Sequence, residues 1–180
     1  MNWKKALSFL ALAIIIFMAD AGLKAYIYHN VPSLSSSSPV FPYGGISIFR
    51  DWHGIDFSMV HVINKGAAWG VFSSLQNYLL YARVAVIGGL LTYLLFVHAS
   101  SYRKFSLMLV VAGAIGNVAD HFVYGHVIDM FYFIFWGYSY PVFNIADSAI
   151  FVGIMLLLAE ALVTKIRSKK SSKSQPNGSN

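Results

Sequence analysis

The chain has 180 residues, 57% hydrophobic and 11% charged, a balance that excludes an ordinary water-soluble domain and points to the bilayer as solvent. It has no cysteine, which removes disulfides, thiol catalysis and thiolate-ligated metals together. The formal net charge of +6 does not imply a nucleic-acid partner, because most Lys and Arg fall in three short clusters beside apolar runs.

Four apolar stretches approach the roughly 20 residues that cross a ~30 Å hydrocarbon core. They lie at about 6–28, 78–97, 105–123 and 145–164. Lys4 and Lys5 precede the first, Arg103 and Lys104 separate the second from the third, and Lys165, Arg167, Lys169, Lys170 and Lys173 follow the fourth. Positive charge marks the cytoplasmic side, so both termini and the short 98–104 loop are expected there. Lys4–Lys5 and Ala19-Asp20-Ala21 imitate a cleavable signal peptide, but the apolar pattern continues past Ala21. The first stretch is therefore read as an uncleaved anchor.

Between spans one and two lies the sizeable outside segment, about residues 29–77. Ser33 to Pro39 is small and polar, hence a loop. From about 45 to 72 the residues turn to Ile, Val, Phe and Trp with partial alternation, and Gly54 marks a turn; short β-strands are expected. The 124–143 connection is full of aromatics, from Tyr124 through Trp136 to Phe143, and is expected as a loop lying on the outer interface. Beyond Lys169 the chain is rich in Ser, Lys and Asn, the composition of a disordered tail. The expected architecture is a mainly α membrane protein: four transmembrane helices with a small extracytoplasmic β-sheet between spans one and two. Residues 1–168 form one membrane-embedded domain and 169–180 a cytoplasmic tail.

Seven acidic residues are present, and their placement is informative. Asp20 and Lys24 lie four apart near the outer end of span one, on one helical face. Asp120 sits about 20 Å up span three from its cytoplasmic start, at ~1.5 Å per residue. Asp147 opens span four, and Asp129 lies in the connection before it. These carboxylates reach one membrane depth, where an ionisable group costs about 2.5–3.5 kcal/mol on the gentlest scale and functional placement is the default. Asp20 with Lys24 reads first as a structural ion pair. Asp51 and Asp56 read as solvated, and Glu160 can snorkel toward water. The six histidines lack the spacing of a zinc site, so neither metal nor other cofactor is expected.

Asp129 and Asp147 are the pair suited to chemistry. Gly125 lets the chain turn after span three, and Asn144–Asp147 occupies the first turn of span four. Two carboxylates facing one water would share a proton, one acting as base on the water and the other donating to a carbonyl oxygen.

At these residues the sequence resembles the lipoprotein signal peptidase family, signal peptidase II. The matching segments are Asp20-Ala21-Gly22-Leu23-Lys24, Asn64 to Gly70, Gly113 to Asp120, Gly125 to Asp129, and Phe143 to Ser148. Each is weak alone; five in order on a four-span chain are specific. The resemblance implies an intramembrane aspartic endopeptidase of the bacterial cytoplasmic membrane, active at the outer leaflet; a monomer is expected. It would act on prolipoproteins that carry diacylglycerol on a cysteine, cutting just before that cysteine in contact with membrane lipid. By that resemblance Asp129 and Asp147 are the catalytic dyad, Asn117 and Asn144 orient groups around it, and Asp20 and Lys24 support the site. Asn64, Gly66 and Gly70 would shape the outside sheet, while Gly113, Asn117 and Asp120 share one stripe of span three.

Three positions depart from the family pattern. His121 stands where the pattern has Arg after the aspartate, Trp69 where Phe is usual, and Met130 where Phe follows the dyad aspartate. If position 121 requires positive charge, His121 must be protonated, with Asp120 favouring that form; if it serves only to pack or to donate a neutral hydrogen bond, no charge is needed. A small proton-coupled transporter or channel is the competing function, since intramembrane carboxylates with a Lys suit it too. It would spread polar groups from face to face, whereas here they cluster at the outer end.

Overall fold

The computed structural model describes residues 3–34, 38–65, 76–97 and 99–173. Its elements are α1 (Trp3–Asn30), β1 (Ile46–Trp52), β2 (Ile55–Asn64), α2 (Gln76–Phe96), α3 (Ser101–Tyr124), β3 (Val127–Phe135), β4 (Tyr138–Ser139) and α4 (Ile145–Lys173). All four helices are long and apolar enough to cross a membrane. The polarity is inverted relative to a soluble bundle. The buried residues of α1 are Asp20, Lys24 and Ile27, while Leu7, Ile15 and Met18 point outward. Such an apolar exterior is stable against lipid and not against water.

α3 is the central helix, packed against α1, α2 and α4. Small residues bring it close to α4. A Cβ on Gly113 would collide with the Ala146 carbonyl oxygen, and one on Gly153 would lie 2.6 Å from the Ser106 carbonyl oxygen. Close backbone approach replaces the hydrophobic drive that lipid cannot supply. At the end away from the sheet, Ser100 caps α3 by accepting from Arg103 N at 3.0 Å and donates to Glu160 Oε1 at 2.9 Å. The other Glu160 oxygen takes Arg103 Nε at 3.0 Å. Glu160 thus ties α4 to the start of α3, and Arg103 and Lys104 belong to a helix rather than to a loop.

The sheet caps the opposite end of the bundle, antiparallel throughout in the order β1-β2-β3-β4. Gly54 makes the expected turn: His53 and Gly54 both have positive φ, 54° and 81°, the two-residue turn whose twist suits a hairpin. Trp136 and Gly137, at 47° and 83°, join β3 to β4 in the same way. The sheet is not confined to the segment between spans one and two. The 124–143 connection, expected as an interfacial loop, supplies β3 and β4. Its aromatics pack across strands, Phe57 stacking on Phe133 at 4.3 Å between centroids, and such pairs are what β-sheets favour. α4 also runs to Lys173, past the expected start of the tail, because no helix breaker intervenes before Pro176; residues 174–180 lie outside the described residues.

Gly113→Val is expected to destabilise the protein by about 1–3 kcal/mol, the cost of overpacking a tight contact. Gly89→Ala, where a Cβ would meet nothing within 4 Å, should leave stability unchanged or slightly raised. Thermal unfolding in detergent checks the contrast.

Candidate active site

Three local features deliver the two aspartates of β3 and α4 to one place. Gly125 ends α3 in the left-handed conformation, φ 77°, its N–H returning to His121 O, so the chain reverses into β3. After the β3–β4 hairpin the chain comes back beside β3, where Phe131 N donates to Phe143 O at 2.8 Å and Phe143 N to Phe131 O at 3.2 Å. That bridge sets Asn144, the residue before α4, beside Asp129. Asn144 then caps α4. Its Oδ1 accepts from Asp147 N at 2.8 Å, and its own N–H donates to Asp147 Oδ2 at 3.3 Å, a reciprocal capping box.

The same Asn144 amide donates to Asp129 Oδ1 at 2.7 Å. One asparagine therefore holds both aspartates. Asp129 Oδ2 accepts from Asn64 Nδ2 at 2.8 Å. The β2–β3 register explains this: Asn64 pairs with Val127 and Val62 with Asp129, leaving Asn64 and Asp129 as diagonal neighbours on one face. Asp147 Oδ1 accepts from Asn117 Nδ2 at 2.8 Å.

Behind the pair lies a fully buried ammonium. Lys24 Nζ is 2.6 Å from Asp20 Oδ2, 2.7 Å from Asp120 Oδ2 and 3.1 Å from Asn117 Oδ1, so each of its three protons has an acceptor. The Asn117 oxygen faces Lys24, so its nitrogen must face Asp147. Asp20 Oδ1 also accepts from Ala146 N at 2.9 Å, filling another free donor at the start of α4. Asp120 Oδ2 accepts from Ile128 N, next to Asp129, at 3.3 Å. Gly116 makes room for the cluster; a Cβ there would sit 3.0 Å from Asp20 Oδ2.

Asp129, Asp147, Asn64 and Asn117 line a cavity of about 710 Å³, walled by Phe133, Phe135 and Phe143 of the sheet side and by Phe151 and Val152 of α4. Burial pushes the Asp129 carboxyl up to about 7, and the Asp147 charge pushes it the same way; the Asn64 and Asn144 amides and Lys24 oppose them. A carboxyl that holds a proton near neutrality, beside a second carboxylate in an apolar cavity, is equipped for acid–base work on a water.

The sequence-predicted residues divide as follows. Asp129, Asp147, Asn64, Asn117 and Asn144 converge directly. Asp20, Lys24 and Asp120 form the buried support, and Gly113 sets the α3–α4 contact. Gly66 and Gly70, with Trp69, lie outside the described residues. Beside position 121, Asp120 turns to Lys24, and the His121 ring meets Gln76, with Nδ1 3.1 Å from Gln76 Nε2. Met130 is fully buried, packed with Ile27, Val31 and Ile128 beneath the sheet. Arg83 of α2, unnoticed in the sequence, also lines the cavity. A charged residue within an otherwise apolar sequence run was the available signal.

The elements and the site define a polytopic membrane protein with a paired-carboxylate centre at one end of its bundle. Comparison with known proteins gives the same class a name. The family model for signal peptidase (SPase) II matches residues 12–163. The lipoprotein signal peptidase of Chlamydia pneumoniae is 43% identical over 111 residues, 61% of this chain and 66% of that protein. That of Chlamydia trachomatis serovar L2 is 36% identical over 139 residues, 76% of this chain and 80% of that protein. Two solved bacterial membrane enzymes share the fold. One has a TM-score of 0.70 at 23% identity, covering 96% of this chain and 94% of the other; the second has 0.68 at 24%, covering 86% and 92%. The chain belongs to the signal peptidase II family.

Lys24→Met should destabilise the fold by about 3–5 kcal/mol, because it strands two buried carboxylates. Adding Asp20→Asn and Asp120→Asn should recover part of that loss, since neutral groups cost less to bury. Denaturant unfolding in mixed micelles reads both outcomes.

Proposed function

We propose that this chain is an aspartic endopeptidase that removes signal peptides from diacylglyceryl-modified prolipoproteins, cleaving just before the lipidated cysteine. The observation that carries the reading is the shared hold of Asn144 on Asp129 and Asp147 at the wall of one cavity. In this reading the pair shares one proton. The ionised carboxylate takes a proton from water as the water oxygen attacks the scissile carbonyl, and the protonated partner donates to the carbonyl oxygen. Collapse of the tetrahedral intermediate breaks the C–N bond. The proton taken from water passes to the leaving nitrogen, and the carbonyl oxygen returns its own to the pair. Neither metal nor cofactor takes part.

The site sits at the bundle end that the distribution of Lys and Arg assigns to the outer face, with both termini cytoplasmic, in a bacterial inner membrane. A substrate anchored by its acyl chains presents its cleavage site at that depth. The apolar cavity wall suits both the residues before the cysteine and the lipid beside it. Clustering of the buried charges at one end favours hydrolysis over transport, which needs a polar path from face to face.

Asp129→Asn and Asp147→Asn are each expected to abolish cleavage of a diacylated precursor peptide, read by gel shift, with folding checked by thermal unfolding. Substantial turnover by either variant would remove that residue from the dyad. A chelator should leave the rate unchanged.

The pH profile has a defined sign. Asp129 is protonated below about 7 and ionised above it, so the pair loses its acid as pH rises. Cleavage should therefore fall on the alkaline side of about 7; a rate still rising through pH 9 would sink the shared-proton mechanism. The precursor without its diacylglyceryl group should be cut poorly, since each buried methylene contributes about 0.8 kcal/mol to binding. Equal rates on both forms would indicate a general membrane peptidase.

A further inference from the structure

The last turn of α3 is held from outside by one side chain of α2. Gln76 Nε2, at the first residue of α2, donates to Gly125 O at 2.6 Å and lies 3.1 Å from His121 Nδ1. A backbone carbonyl oxygen can only accept, so the nitrogen end of the Gln76 amide must face this corner. That nitrogen carries two hydrogens. One goes to Gly125 O, and the other meets His121 Nδ1, which can receive it only through an unprotonated lone pair. An imidazolium, or the tautomer protonated on Nδ1, would set N–H against N–H. The contact is a hydrogen bond when His121 is neutral and protonated on Nε2.

The corner so held delivers Asp129. Gly125 lies four residues before it and makes the left-handed turn from α3 into β3. From inside the bundle, Asp120 fastens the same stretch by accepting from Ile128 N. From outside, Gln76 fastens it among the described residues, reaching both the turn and the helix that precedes it. We propose that Gln76 and neutral His121 act as a positioning pair for the reaction, fixing the α3–β3 corner so that Asp129 keeps its place opposite Asp147. The proposal rests on reading those two aspartates as the dyad. It assigns a part to Gln76 and makes His121 a hydrogen-bond acceptor rather than a cation.

Two measurements test it. The first is a double-mutant cycle on the diacylated peptide with Gln76→Ala, His121→Ala and both together. Each single variant should lower kcat by about tenfold with KM nearly unchanged, the size of effect one hydrogen bond exerts. The double variant should be no worse than either single one. Losses that multiply, or that fall on KM alone, overturn the proposal. The second measurement is nitrogen NMR of 15N-histidine-labelled protein in detergent at about pH 8, above the ordinary histidine range near 6.5. The His121 signal is identified by its loss in His121→Ala. Its Nδ1 should resonate as an unprotonated nitrogen and shift in Gln76→Ala; a protonated Nδ1 in the unmutated protein overturns the pair whatever the activities show. Because the spectrum needs no turnover, failure of the pair and failure of the dyad are read separately: active Asp129→Asn refutes the dyad without touching the tautomer.

Discussion

The structure depends on one buried ammonium. Lys24 is wholly enclosed, yet it lies among groups from α1 and α3 that hold four elements in register: its partners Asp20, Asp120 and Asn117 reach on to Ala146, Ile128 and Asp147. Burying a charge is costly, and two carboxylates with a neutral amide oxygen leave no proton of this one unanswered. The requirement runs both ways. Both carboxylates turn toward Lys24, and their second oxygens or spare lone pairs fasten backbone N–H groups of α4 and β3. Apolar helices in lipid have little reason to choose one packing over another. Here the choice is made by charge pairing and by glycines that let α3 and α4 approach.

The second joint is the start of α4. A helix N-terminus has donors without partners, and this one is served by Asn144, Asp147 and Asp20, each with a further duty in the site. Helix capping and the juxtaposition of Asp129 with Asp147 are thus the same set of hydrogen bonds. A change at Asn144 removes a cap and, with the same stroke, the amide that keeps Asp129 against Asp147.

Much of this could be read from the chain because charged residues in hydrocarbon are expensive and so rarely idle. Asp20, Lys24, Asp120 and Asp147 stood out against apolar runs, and Asn144 followed by Asp147 at the head of a span is itself a capping pattern. What escaped the sequence depended on pairing partners far along the chain. The aromatics of 127–135 suit an interface and a strand equally, and only β2, more than sixty residues earlier at its pairing positions, decides between them. Trp136-Gly137 carried a hairpin signal, but one masked by the surrounding aromatics. Arg83 stood out as a charge in its span, but that it lines the cavity is decided only by how α2 packs. Gln76 has meaning only once α2 is set beside the α3 corner.

The contact between Asp20 and Ala146 joins positions 126 residues apart, from the first helix to the last. Its consequence concerns birth rather than catalysis. While the chain is being synthesised, Asp20 and Lys24 enter the bilayer long before Asn144 exists, and Asp129 emerges without the amide that will orient it. No partial product contains an assembled centre. A chain short of its last helix therefore holds Asp20 and Lys24 as a pair on α1, with neither Ala146 nor Asp147 yet in place to receive what that pair and Asn117 offer.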